Sequence, residues 1–210
     1  MSKSTIQIGI LALQGDVLEH ELMMNAVLAN KGIDSKILWV RRPEQLDSWD
    51  GLIIPGGEST VMSRLVSEMR FGHKLAAKIQ ERVQKGMAVF GTCAGAILIS
   101  KASKDQVVKD FSQALLELMD IEVIRNRYGR QRDSFERPLT IERLGNEPFP
   151  GVFIRAPIIT SVGKKVEILA KDAGGIYAVK QGKLLATTFH PELTDDTRFH
   201  ELFLEMILND

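Results

Sequence analysis

Cys93 is the only cysteine of the chain, and it stands between two glycines in the run Val89-Phe90-Gly91-Thr92-Cys93-Ala94-Gly95-Ala96-Ile97. The apolar run Met87 to Phe90 reads as a buried strand and Ala94 to Ser100 as a helix, which puts Cys93 on the turn between them. A residue on such an elbow takes a strained backbone, and glycines two positions away on each side remove the side chains that would crowd it. The thiol then points outward at a helix N-terminus, where free N–H groups and the helix dipole favour a thiolate and can receive an oxyanion. The chemistry this suggests is nucleophilic attack on a carbonyl. The bland reading, a small buried cysteine flanked by glycine by chance, requires a coincidence of roughly one in two hundred.

A cysteine nucleophile needs a base and a group to orient that base. Of the four histidines, His20 and His73 sit in helical or polar contexts and His200 lies within a C-terminal helix, where a satisfied or solvated ring is the default. His190 ends an apolar strand and is followed by Pro191 and Glu192. On an extended backbone His190 and Glu192 project to the same side, and proline between them resists helix formation. This predicts a Cys93–His190–Glu192 triad. A third motif, Pro55-Gly56-Gly57-Glu58-Ser59, follows a short apolar strand; its adjacent glycines let backbone N–H groups face a ligand, as an oxyanion hole requires. Gly57 and Ala94 are the expected oxyanion donors. Taken alone, Pro55-Gly56-Gly57 is equally an ordinary strand-to-helix turn, and His190-Pro191-Glu192 a structural turn.

The elements that must position these residues read in order as follows. Ile6 to Leu13 is a strand ending at Gln14-Gly15-Asp16, a turn that can cap a helix from about Leu18 to Asn30. Ser35 to Val40 and Gly51 to Ile54 are further strands. A helix starts with Ser59 or Thr60 as its cap, another runs from Lys74 to Lys85, and the elbow strand follows. Alternating strands and helices indicate βαβ units on a mostly parallel sheet, in which sites form at the C-terminal ends of strands. From Lys101 to Glu117 the chain is polar, then helical in pattern, and reads as a surface insertion without an assigned role. Ile121 to Ile124, Arg132 to Ile141, Val152 to Ile159, Val166 to Ala170, Ile176 to Lys180 and Leu184 to Phe189 read as short strands, some in antiparallel hairpins. A final helix runs from about Asp195 to Leu208, with Phe199, Leu202, Phe203, Met206 and Ile207 on one face.

Composition narrows the function classes. With 210 residues, 27 Lys plus Arg and 27 Asp plus Glu, the formal charge is zero and no basic tract stands out, so neither nucleic acid nor an anionic membrane is an expected partner. One cysteine cannot form an internal disulfide, which suits a reducing compartment, and no apolar run reaches membrane-spanning length. The expectation is a cytoplasmic protein of one α/β domain over residues 1–210.

The three motifs, in this order, resemble the class I (triad) glutamine amidotransferases, and in particular the glutaminase subunits of pyridoxal 5′-phosphate synthase. Leu11-Ala12-Leu13-Gln14-Gly15, Arg41-Arg42-Pro43-Glu44-Gln45-Leu46, Asn126-Arg127-Tyr128-Gly129-Arg130-Gln131, Asp133-Ser134-Phe135-Glu136 and Gly151-Val152-Phe153-Ile154-Arg155-Ala156-Pro157 carry the narrower resemblance. It covers nearly the whole chain and is weakest over Lys101 to Glu117. It implies a three-layer, flavodoxin-like α/β domain with added antiparallel strands, and L-glutamine held by Gly57, Glu58, Ser59, Arg125, Ile154 and Arg155. An arginine, a carboxylate and backbone groups suit a free amino acid, although a surface ion pair is the simpler role for Arg125 or Arg155. The resemblance implies no cofactor and no metal, and its partner is a synthase subunit in a hetero-oligomer. Open beside it are a glutaminase of another pathway, a related cysteine hydrolase of γ-glutamyl compounds, and a non-catalytic regulatory protein of the same fold.

Overall fold

The computed structural model describes residues 5–67, 72–108, 112–125 and 134–209. The strands are β1 (Ile6–Leu11), β2 (Ser35–Val40), β3 (Gly51–Ile54), β4 (Ala88–Thr92), β5 (Ser100–Asp105), β6 (Met119–Arg125), β7 (Phe135–Leu139), β8 (Phe149–Phe153), β9 (Ile158–Val162), β10 (Glu167–Asp172), β11 (Gly175–Gln181) and β12 (Leu184–Thr187). The helices are α1 (Val17–Lys31), α2 (Ser59–Ser67), α3 (Gly72–Gln84), α4 (Ala94–Ile99) and α5 (Arg198–Leu208).

Ten strands form one sheet in the order β2-β1-β3-β4-β12-β11-β9-β6-β5, with β10 paired to β11. The pairings from β2 across to β12 are parallel, as is β5 with β6, and those around β11 and β9 are antiparallel. Every residue of β3, β4 and β12 is buried, as strands covered on both faces must be. On one face α1 and α5 bury Val17, Met24, Val27, Phe199 and Phe203, joined by Phe149 and Phe153 from the two-stranded β7–β8 sheet. On the other face α2, α3 and α4 bury Met62, Val66, Leu75, Ile79 and Ile97. The expected three-layer architecture with a mostly parallel sheet is what the chain adopts. Among the described residues no helix is long and apolar enough to cross a membrane.

Three local expectations are corrected. Val152 to Ile159 is not one strand: β8 stops at Phe153 and β9 starts at Ile158. Between them Arg155 has φ 45°, a left-handed conformation no strand contains, and Pro157 withholds an N–H. The helical pattern read before Glu117 gives no helix over 112–118, and Lys101 to Asp105, read as the start of an insertion, belongs to the sheet's edge strand β5. Leu116 and Leu118 N–H groups instead donate to Leu98 and Ile99 carbonyls, satisfying orphan acceptors at the end of α4. The cap of α2 is Glu58 rather than Ser59 or Thr60, its carboxylate accepting from the N–H groups of Thr60 (3.1 Å) and Val61 (2.7 Å). The Asn126-to-Gln131 segment, together with Arg132 and Asp133, lies outside the described residues.

Candidate active site

Four adjacent parallel strands, in the order β1-β3-β4-β12, end at one edge of the sheet. The loops after them carry Asp16, Gly57, Cys93 and His190 in turn, so residues more than a hundred positions apart in sequence converge at the C-terminal ends of neighbouring strands. A cavity of about 260 Å³ opens there, lined among others by Gly57, Glu58, Ser59, Cys93, Ala94 and Arg125, and by Ile154, Arg155 and His190. Every residue expected in the site faces this cavity except Glu192, which lies behind His190.

Cys93 joins β4 to α4 with φ 47° and ψ −102°, a conformation costly for a side chain and tolerated at a site the surrounding structure holds fixed. Its N–H donates to the Thr187 carbonyl of β12 at 2.8 Å. Glycine at position 95 is required by close approach: a Cβ there would drive into the carbonyl oxygen of Ile54 in β3. The elbow is therefore set by a helix lying directly on a strand.

His190 follows β12, and its N–H donates to Val152 at 2.9 Å. The expected extended geometry is not what joins it to Glu192. Pro191–Leu193 is a single 3₁₀ turn with proline at its first position, where a locked φ and a missing N–H cost nothing. The two side chains meet nonetheless, Glu192 Oε1 lying 2.8 Å from His190 Nδ1. Asp16 Oδ2 lies 3.2 Å from the same nitrogen, a second carboxylate that the sequence reading missed. With Nδ1 so occupied, Nε2 is the ring nitrogen left to act on Cys93, whose charge is one of the causes that raise the His190 pKa. Burial opposes a charge on His190, but the Cys93 thiolate, Asp16 and Glu192 together outweigh it and push its pKa well above the ordinary value. Burial dominates at Glu192 and raises its pKa, with His190 pulling the other way. Asp16, His190 and Glu192 bring potential metal-ligand atoms within 4.8 Å of one another. An Nδ1–H that donates to both carboxylates offers no lone pair to a metal, so the cluster fits a hydrogen-bonded base better than a metal centre.

Gly57 takes φ 146°, open only to glycine at reasonable cost, and a Cβ there would strike the Gln14 side chain. The carbonyl of Gly56 accepts from the Asp16 N–H at 3.4 Å, which sends the N–H of Gly57, in that same peptide, to the opposite side.

Arg125 ends β6 and is only 8% exposed, which removes the surface-pair reading for it. Nη1 donates to Thr60 Oγ1 (2.7 Å) and Gln113 Oε1 (3.1 Å), Nη2 to Glu58 Oε1 (3.2 Å), and Nε lies 3.2 Å from Asp105 Oδ2. Burial raises the pKa of Glu58, but the Val61 and Thr60 hydrogen bonds and Arg125 lower it on balance. Asp105 and Gln113 come from the stretch that had no assigned role. Arg155, by contrast, is exposed at the cavity rim with its backbone strained. His20 and His200, read as ordinary helical histidines, are both fully buried, His20 3.5 Å from Glu192 and 2.9 Å from His200.

The geometry has counterparts among known proteins. The sequence profile of the SNO glutamine amidotransferase family matches residues 10–209. A protein of Herpetosiphon aurantiacus named pyridoxal 5'-phosphate synthase subunit PdxT is 52% identical over 198 residues, covering 94% of this chain and 98% of its own. One of Thermotoga maritima with the same name is 48% identical, covering 96% and 100%. A crystal structure described as a glutamine amidotransferase superposes with a TM-score of 0.80 at 43% identity, over 95% of this chain and 98% of that one. Another glutamine amidotransferase, from Thermotoga maritima, shares the fold alone, with a TM-score of 0.63 at 14% identity over 98% of this chain and 85% of that one. A profile match over nearly the whole chain, with relatives of such identity, establishes that the chain belongs to the SNO glutamine amidotransferase family.

Proposed function

We propose that this chain is the glutaminase subunit of a pyridoxal 5′-phosphate synthase, hydrolysing L-glutamine to L-glutamate and ammonia with Cys93, His190 and Glu192. The observation that carries the reading is the cavity in which Cys93, with His190 and its carboxylates behind, faces the Glu58–Arg125 pair. The thiolate of Cys93 attacks the side-chain amide carbon of glutamine, and the N–H groups of Gly57 and Ala94 receive the negative oxygen. One such donor is worth roughly 10²–10³-fold in rate. His190 gives its proton to the departing nitrogen, then takes one from the water that cleaves the γ-glutamyl thioester. The charged ends of the substrate fall to Arg125, Glu58 and the backbone around Ser59, Ile154 and Arg155.

Ammonia is a nucleophile only while unprotonated, and water near neutral pH protonates most of it. Direct transfer to a synthase subunit in a hetero-oligomer avoids that loss, and the relatives' names supply the candidate partner. The reading places the protein in the cytoplasm, as one domain over 1–210. The Gly56–Gly57 peptide is the element a partner could control, because it can present a carbonyl or an N–H to the cavity. Glutamate release by the isolated chain and after titration with the synthase subunit tests the reading. Release that depends on Cys93 and rises with the synthase supports it; a chain that never hydrolyses glutamine, alone or with the synthase, refutes it.

A further inference from the structure

Behind the triad lies a buried chain of polar groups for which the mechanism above has no use. His20 sits on α1, one turn after Asp16, so this helix offers side chains to both His190 and Glu192. His20 Nε2 is 3.1 Å from Thr92 Oγ1 and 3.5 Å from Glu192 Oε2, while Nδ1 is 2.9 Å from Nε2 of His200 on α5. None of the four side chains reaches solvent, and Phe90 packs edge-on against both imidazoles. Among the described residues, Glu192 Oε2 has no polar partner apart from His20. A fully buried carboxylate oxygen with nothing opposite it costs several kcal/mol, so whatever faces it matters.

Two neutral arrangements of the pair are possible. If His20 carried its proton on Nδ1, it would donate to His200 Nε2 and turn the lone pair of its own Nε2 to the carboxylate oxygen, which is repulsive. The proton of His200 would then sit on Nδ1, which has no partner among the described residues. If His20 carries its proton on Nε2, that N–H faces both Thr92 Oγ1 and Glu192 Oε2, and Nδ1 accepts from His200 Nε2–H. A bare lone pair on His200 Nδ1 and the Thr92 hydroxyl proton are then left over, which together cost less than an orphaned N–H plus a repelled, buried carboxylate charge.

We propose that His20 is a positioning residue of the triad: fixed as the Nε2–H tautomer by His200, it turns its proton to the second oxygen of Glu192 and keeps that carboxylate ionised and aimed at His190. The proposal rests on the triad reading and deepens it. Both histidines stay neutral in this arrangement, consistent with burial holding their pKa values well below the ordinary range. The titratable groups around His20 are His200 from α5 and His190 and Glu192 from the turn after β12, with Asp16 before α1 and Cys93 after β4 on the far side of His190. Among them the N–H of His20 is the donor that faces the far oxygen of Glu192. Without it the buried Oε2 faces no donor among the described residues, the ionised form of Glu192 is disfavoured further, and the acid limb of the kcat profile moves to higher pH.

The test uses the full chain, with the synthase subunit present for turnover. NMR of ¹⁵N-labelled imidazoles should show His20 protonated at Nε2 and bare at Nδ1 throughout the neutral range. His20→Leu should lower kcat for glutamate release roughly tenfold, with KM within about twofold, as expected when a buried carboxylate loses the one N–H that faces it. The acid limb of kcat against pH should move to higher pH in the same variant. His20→Gln, which keeps an N–H donor, should recover most of both. A proton on Nδ1, a charged His20 ring, or a His20→Leu variant with wild-type rate and pH profile overturns the proposal while leaving the triad standing. A Cys93 that iodoacetamide never labels in the wild type removes the triad and the proposal together.

Discussion

Thr92 and Thr187 are register partners across the parallel pair β4–β12. Cys93 and His190 therefore leave the sheet from neighbouring strands, one and three residues beyond a matched pair, and the Cys93 N–H is held by Thr187 itself. Their proximity is a property of strand register, and it needs no contact between the loops.

The strained backbone at Cys93 separates chemistry from stability. Both Cys93→Ala and Cys93→Gly should abolish glutamate release. At φ 47° glycine suffers no penalty while alanine keeps it, so the glycine variant should be the more stable by about 1 kcal/mol in urea unfolding. Equal stability would mean that the elbow is not strained.

Gly95→Ala places a methyl against the Ile54 carbonyl, a backbone atom that moves only if α4 lifts from β3. The expected loss is roughly 3 kcal/mol of stability, with activity lost too because Cys93 rides on the same helix end. Chemical denaturation reads the first and glutamate release the second. Unchanged stability would show that α4 is free to shift.

Arg125 serves four acceptors with a planar fork that lysine cannot reproduce. Arg125→Lys should raise KM for glutamine about tenfold or more while kcat changes much less. Asp105→Asn should raise KM in the same direction by a smaller factor. Steady-state kinetics of glutamate release decide both, and wild-type KM in either variant would remove that residue from the binding site.

The buried histidines set stability against pH with opposite signs. His200, whose pKa burial lowers to about 3, takes up a proton more readily when unfolded. Its contribution is present above the unfolded value of about 6.5 and is lost as pH falls, at about 1.4 kcal/mol per unit. His190, raised by Cys93, Asp16 and Glu192 against the opposing effect of burial, contributes fully below about 6.5 and loses that contribution as pH rises through its folded value. Replacing His200 with Phe should flatten the acid side of the stability profile, and His190→Asn the alkaline side. Urea midpoints across pH measure both, and parallel profiles for variant and wild type would contradict the assignment.

The sequence by itself determined the punctuation of this protein. Glycine flanking the lone cysteine, paired glycines after a short apolar strand, and proline between histidine and glutamate are local constraints on backbone conformation, and each marked a residue that lines the cavity. Periodicity likewise placed β1 to β4 and α5 to within a few residues, because β3 and β4 are buried and apolar, β1 and the edge strand β2 are rich in apolar and β-branched residues, and α5 has one apolar face. Tertiary structure decided what depends on partners remote in the chain. Asp16 reads as a helix cap, yet its side chain makes no cap hydrogen bond and turns to His190, because β1 and β12 end at the same sheet edge. His20 and His200, separated by 180 positions, meet only because α1 and α5 pack on one face. Asp105 gains a role only when the edge pairing of β5 with β6 sets it opposite Arg125, and Gln113 only when the segment after β5 returns to the same side chain, contacts that no local pattern in a polar stretch encodes.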